Sequence, residues 1–168
     1  MKKNKVLFVC IHNSARSQMA EAFLNRACPS AFEAHSAGLE PGTLNPLVVD
    51  AMREVGFDIS SHQTKSVAAI MRAGHDFGWV VTVCDAASAE KCPVFPGAVR
   101  RLHWGFPDPS AVQGNAEERM NTVRAIRDQI RAKIEDWCRE VCLPAATRQG
   151  AGSRPAEPGT GVLFPAKD

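Results

Sequence analysis

The chain has 168 residues, 45% of them hydrophobic and 23% charged, with a formal charge of +2. That length suits one domain with a substantial core, and that charge is too small to argue for a nucleic-acid partner. No apolar stretch approaches the roughly 20 residues that cross a bilayer. The run that follows the basic start Lys2-Lys3-Asn4-Lys5, Val6 to Ile11, is too brief for a signal-peptide core. The basic start itself reads as a solvated lead-in to a strand. A cytoplasmic monomer is therefore expected. Its six cysteines, Cys10, Cys28, Cys84, Cys92, Cys138 and Cys142, are not expected to form a permanent disulfide framework.

Residues 4–10 read as a buried strand. From Ser14 or Ala15 to Ala27 the pattern turns helical, with Met19, Ala20, Phe23, Leu24 and Ala27 on one face, and Cys28-Pro29 ends the helix. Residues 31–37 make a second strand closed by Gly38. Asn45-Pro46 opens a helix as N-cap and first residue, which Gly56 stops after Val55. A further helix runs from about Ser66 to Arg72 or Ala73, ended by Gly74. Phe77 to Val83 is β-prone and ends in Cys84. Asp85 to Lys91 reads as a polar, mobile loop leading to Cys92-Pro93, and residues 97–104 as the fourth strand. Asn115 and Glu118 form a capping box for the last helix, whose stripe is Met120, Val123, Ile126, Ile130, Ile134, Trp137 and Val141. From Pro144 periodicity vanishes, so 1–143 is taken as the domain and 144–168 as a disordered tail. Alternating strands and helices predict an α/β three-layer sandwich with a four-stranded parallel sheet.

Ligands of such sheets sit beyond the C-terminal strand ends. Cys10, Cys84 and Asp108 each follow a strand and so converge on one edge. Between Cys10 and the first helix lie Ile11, His12, Asn13, Ser14 and Ala15, then Arg16 and Ser17. A loop feeding a helix N-terminus presents unpaired N–H groups and the positive end of the helix dipole. That field suits an oxyanion and favours a thiolate nucleophile. The guanidinium of Arg16 matches a tetrahedral oxyanion. Asn13 tolerates the tight backbone such a loop needs, and Ser14 or Ser17 is placed to donate to the cysteine sulfur. His12 reads as a loop histidine rather than a base. Asp108, between two prolines, suits a general acid or a turn. Cys84 and Cys92 are too far apart for a C-x-x-C redox motif; taken alone they are a thiol pair, unrelated cysteines, or zinc ligands lacking a second pair. Cys138 and Cys142 lie one helical turn apart. Without further ligands in view they read, with Cys28, as core thiols.

Cys10-x5-Arg16-Ser17-Gln18-Met19-Ala20-Glu21-Ala22 resembles the start of the low-molecular-weight protein tyrosine phosphatase superfamily. More narrowly, it resembles the thioredoxin-coupled arsenate reductases of that fold. The likeness continues through Ser36-Ala37-Gly38, Asn45-Pro46, Asp58-Ile59-Ser60, Val83-Cys84-Asp85, Cys92 to Gly97 and His103 to Pro109, covering about residues 5–140. It implies a flavodoxin-like strand order and a site that binds arsenate on residues 11–17. It assigns Cys10 as nucleophile, Asp108 as general acid, and Cys84 and Cys92 as a thiol relay regenerated by thioredoxin, with glutaredoxin the less favoured reductant. The alternative is a phosphatase using only Cys10, Arg16 and Asp108. Against that stand Ser110, where tyrosine phosphatases carry an aromatic residue, and the absence of any tyrosine. A third reading is an oxyanion-binding or redox-sensing module, for which an acid at Asp108 has no use. No organic cofactor is required. The resemblance also implies a potassium ion near Asn13, Glu21, Ser36 and Thr64, although Lys65-Ser66 stands where an acidic residue is expected.

Overall fold

β1 (Asn4–Cys10) is the spine of the sheet, and its residues from Val6 to Cys10 are buried. It pairs in parallel with β2 (Phe32–Gly38) on one side and β3 (Trp79–Thr82) on the other. β4 (Arg100–His103) pairs in parallel with β3, giving the order β2-β1-β3-β4. The computed structural model describes residues 2–97 and 99–142. The 144–168 tail lies outside the described residues.

Side chains alternate across a strand, so β1 feeds two cores. Val6, Phe8 and Cys10 face a large core built with α1 (Arg16–Ala27), α2 (Pro46–Glu54) and α5 (Ala116–Cys142). Leu7 and Val9 face a smaller one with Val67 and Ile70 of α3 (Val67–Arg72), Phe77 and Phe95. Helices on both faces make the predicted three-layer α/β sandwich. Val123, Ile126, Ile130, Ile134 and Trp137 of the predicted α5 stripe are buried, while Met120 and Val141 are partly buried at its ends. Burying each large apolar side chain contributes about 1.5–3 kcal/mol.

The caps follow the sequence chemistry. Asn45 accepts from the Leu47 N–H, Ser66 from the Ala69 N–H, and Asn115 and Glu118 exchange hydrogen bonds. Gly56 and Gly74 end α2 and α3 at φ of 84° and 69°. α1 begins at Arg16, slightly later than expected, which lengthens the anion-binding loop.

Two expectations need correction. Asp85 to Lys91 is not an open loop: Ala86–Glu90 forms a short helix, α4. Asp85 caps it, accepting from the Ser88 N–H at 2.9 Å and the Ser88 hydroxyl at 2.8 Å. Nor are all six thiols free. Cys28 and Cys138 form a disulfide, 110 residues apart in sequence, whereas Cys10, Cys84, Cys92 and Cys142 are free. Among the described residues no helix is long and apolar enough to cross a membrane.

Candidate active site

Cys10 is the last residue of β1 and is 3% exposed. Its sulfur receives the Asn13 N–H at 3.0 Å and lies 2.9 Å from Ser17 Oγ. Asn13 Nδ2 donates to that Oγ at 2.8 Å, so the Ser17 hydroxyl proton is left to point at the sulfur. Two hydrogen-bond donors thus converge on the Cys10 sulfur. Of the two serines considered, the structure selects Ser17. Asn13 adopts φ of 53°, the left-handed conformation anticipated for it.

Among the described residues, none accepts a hydrogen bond from the N–H groups of Ile11, His12, Ser14, Ala15, Arg16 or Ser17. These donors wrap the space in front of Cys10 and continue into the first turn of α1, forming an oxyanion cradle. Arg16 is 6% exposed. Its guanidinium donates to the Phe106 carbonyl at 3.1 Å and reaches Asp108 at 3.8 Å. Asp108 caps a short 3-10 turn, Pro109–Ala111, and accepts from the Ser110 N–H at 2.9 Å. Both readings of Asp108, turn residue and acid beside the anion site, are therefore compatible with one geometry. His12 is an exposed loop residue whose Nδ1 lies 2.9 Å from the Glu40 carbonyl, away from Cys10.

Removing the Ser17 hydroxyl tests the donor pair. A hydrogen bond to a charged group contributes about 1.5–3 kcal/mol. Ser17→Ala is therefore expected to slow alkylation of Cys10 by iodoacetamide at neutral pH by roughly tenfold to a hundredfold.

Cys84 and Cys92 are both buried, but in different places. Cys84 joins the large core, while Cys92 packs with Leu7, Val9, Phe77 and Phe95 on the other face of the sheet. Burial raises the pKa of each thiol. At Cys84 the Arg16 guanidinium opposes this, and the neighbouring Cys10 adds to it. At Cys92 Arg101 opposes it. Cys84 thus shares a core with Cys10, whereas Cys92 lies in the core on the other face of the sheet.

Three residues that hold the loop were not singled out from sequence. Gln18 is fully buried and donates to Asn13 Oδ1 and the Gln63 carbonyl, both at 3.1 Å, while its Oε1 lies 3.0 Å from His62 Nδ1. A glutamine on the apolar face of α1 was the available signal. Lys65 donates its N–H to Asn13 Oδ1 at 2.9 Å. Gly38, paired with Cys10, has no room for a side chain: a Cβ would lie 2.7 Å from the Ile11 carbonyl oxygen and 2.8 Å from the Asn13 nitrogen. Gly38→Ala is expected to cost about 1–3 kcal/mol through this overpacking, seen as a lower urea midpoint at unchanged slope.

The residues considered for potassium do not form an oxygen cage. Asn13 Oδ1 already accepts two hydrogen bonds, and Thr64 Oγ1 donates to the Gly42 carbonyl at 2.7 Å. The Glu21 carboxylate accepts from the Ser36 hydroxyl and pairs with Lys65 Nζ at 3.8 Å. Lys65, which stands in place of the expected acidic residue, thus pairs with Glu21.

Residues 5–146 match the model of the low molecular weight phosphotyrosine protein phosphatase family. An arsenate reductase of Shouchella clausii is 44% identical over 137 residues, covering 82% of this chain and 96% of that protein. The chain belongs to this phosphatase family, in its arsenate reductase branch. A solved arsenate reductase in a phosphate-binding state superimposes with a TM-score of 0.67 at 27% identity, covering 82% of this chain and 98% of that one. A thioredoxin-dependent arsenate reductase of Corynebacterium glutamicum matches with a TM-score of 0.54 at 27% identity, over 82% of this chain and 64% of that one. Membership accounts for the shared loop, and the extra thiols separate this branch from a hydrolase, which needs one nucleophile and no redox partner.

Proposed function

We propose that this arsenate reductase converts arsenate to arsenite by a three-thiol relay and is regenerated by thioredoxin. The observation that carries the reading is that Cys10 and Cys84 are buried in one core, while Cys92, one short helix further along the chain, is buried in the other.

Arsenate enters the cradle of residues 11–17 and is held by backbone N–H groups and Arg16. The Cys10 thiolate attacks arsenic, forming an As–S bond, while Asp108 gives a proton to the departing oxygen, which leaves as water. The Cys84 thiolate then attacks Cys10 Sγ. The S–S bond forms as the As–S bond breaks, and its electron pair stays on arsenic. Arsenic falls from the pentavalent to the trivalent state and arsenite leaves; two thiols have supplied the two electrons. Cys92 next attacks Cys84 Sγ, freeing Cys10 and leaving a Cys84–Cys92 disulfide, which the dithiol of thioredoxin reduces.

That last exchange demands movement. A disulfide holds its Cα atoms within about 7 Å, and Cys84 and Cys92 begin in separate cores on either side of α4. α4 has no buried residue of its own, so little apolar burial opposes its unwinding.

The test is a coupled assay with thioredoxin, thioredoxin reductase and NADPH. Arsenate-dependent NADPH oxidation that needs all three thiols is expected. Hydrolysis of an aryl phosphate that is unaffected by Cys84→Ser and Cys92→Ser, with no arsenate turnover, would instead identify a phosphatase.

A further inference from the structure

Cys28, Cys138 and Cys142 meet far from the active site. Cys28 is the C-cap of α1, whereas Cys10 and Arg16 sit at that helix's other end, about 18 Å away for 12 residues. Cys138 and Cys142 lie one turn apart near the end of α5, an (i, i+4) pair on one helix face. The Cys28 and Cys138 Cα atoms are 6.4 Å apart, and Cys142 Sγ lies 3.6 Å from Cys28 Sγ. All three line an open cavity of about 490 Å³ with Ala27, Glu135 and Arg139. Cys28 thus has both Cys138 and Cys142 as sulfur neighbours at one cavity, the first two buried and Cys142 exposed, and the relay above uses none of them.

We propose that, once the Cys28–Cys138 bond is reduced, these three cysteines bind one trivalent arsenic, the product of the active site, as a tris-thiolate. The identity of the ligand rests on the arsenate-reductase reading.

As the structure stands, no set of three His, Cys, Asp or Glu side chains among the described residues is arranged to hold a metal ion. Reduction by a dithiol, two electrons and two protons, opens the Cys28–Cys138 bond to two thiols, which with the free Cys142 make three. Arsenite, As(OH)3, then condenses with them: three As–O bonds break, three As–S bonds form, three waters leave, and no electrons move.

Two features favour arsenic over zinc. Zinc in structural sites takes four ligands, and the only carboxylate in the cavity, Glu135, is paired with Arg131 at 2.9 Å. Cys28 also caps the C-terminus of α1, a negative dipole end that disfavours an anionic complex, and As(SR)3 is neutral.

The test uses the full chain carrying Cys10→Ser, Cys84→Ser and Cys92→Ser, so that the relay thiols cannot bind arsenite. After reduction with a phosphine and desalting, sodium arsenite is added. Native mass spectrometry is expected to show one arsenic bound with loss of three protons, and arsenic X-ray absorption to show three sulfur neighbours. Because Cys142 is exposed, adding Cys142→Ser leaves the core intact. It is expected to weaken binding at least tenfold and remove one sulfur neighbour. No binding, equal binding by the Cys142→Ser variant, or equal binding by the oxidised protein would overturn the proposal. Arsenate turnover by the chain carrying Cys142→Ser alone is read separately. Its presence with no arsenite binding sinks this site only, and its absence in wild type with binding intact sinks the reductase reading only.

Discussion

Cys92→Ser is expected to release one arsenite per chain and then stop. Cys10 and Cys84 suffice for the first two steps, because their sulfurs provide both electrons. Without Cys92 the Cys10–Cys84 disulfide has no internal resolving thiol, and Cys10 stays covalently blocked. Steady-state turnover with thioredoxin should fall to background, a loss of several orders of magnitude of the kind seen when a covalent relay loses a member, while the first burst keeps its amplitude. The burst rate should also rise with pH through and beyond the ordinary cysteine range. Burial raises the Cys84 pKa, only its thiolate attacks, and each pH unit below that pKa costs about tenfold in reactive fraction. Quenched-flow measurement of arsenite across pH reads amplitude and rate together. A burst lacking in Cys92→Ser would place Cys92 before arsenite release and remove Cys84 from its role.

Asp108→Asn isolates the acid. The amide keeps an oxygen to accept from the Ser110 N–H, now at 2.9 Å, so the 3-10 turn survives. What goes is the proton donor and the ion pair with Arg16. A positioned general acid typically contributes 10²–10⁴-fold, so kcat/KM for arsenate should fall by about that factor. The exchange steps do not use Asp108. A preformed Cys10–Cys84 disulfide should therefore pass to Cys92 at the wild-type rate in the variant. A loss confined to thermal stability, with kcat/KM unchanged, would return Asp108 to the role of turn residue.

Much of this site was legible because its chemistry is local. Cys10, Asn13, Arg16 and Ser17 lie within one strand–loop–helix unit, so their spacing together with the strand before and the helix after predicts an anion-binding loop, and the structure adds which serine faces the sulfur. Asn45, Ser66 and the Asn115–Glu118 box were legible for the same reason: a cap is satisfied within three residues.

Contacts that cross the chain were not. Gly38 must be glycine because of the backbone of residues 11–13, and Lys65 reaches Asn13 from 52 positions away. Cys28 meets Cys138 across 110 residues. Cys138 and Cys142 read as core thiols, and nothing local showed that Cys28, at the end of another helix, lies against them. α4 was missed for a different reason. Ala86–Glu90 has no buried face, so it lacks periodicity, and its one local signal was Asp85 three residues before Ser88.

The relay itself is tested most directly by mapping disulfides after a single turnover. Fully reduced protein, mixed with one equivalent of arsenate and no thioredoxin, is quenched with acid, alkylated and digested. One arsenite per chain is predicted, together with a Cys84–Cys92 disulfide and a free, alkylated Cys10. Arsenite formation with Cys84 and Cys92 both still alkylated would contradict it.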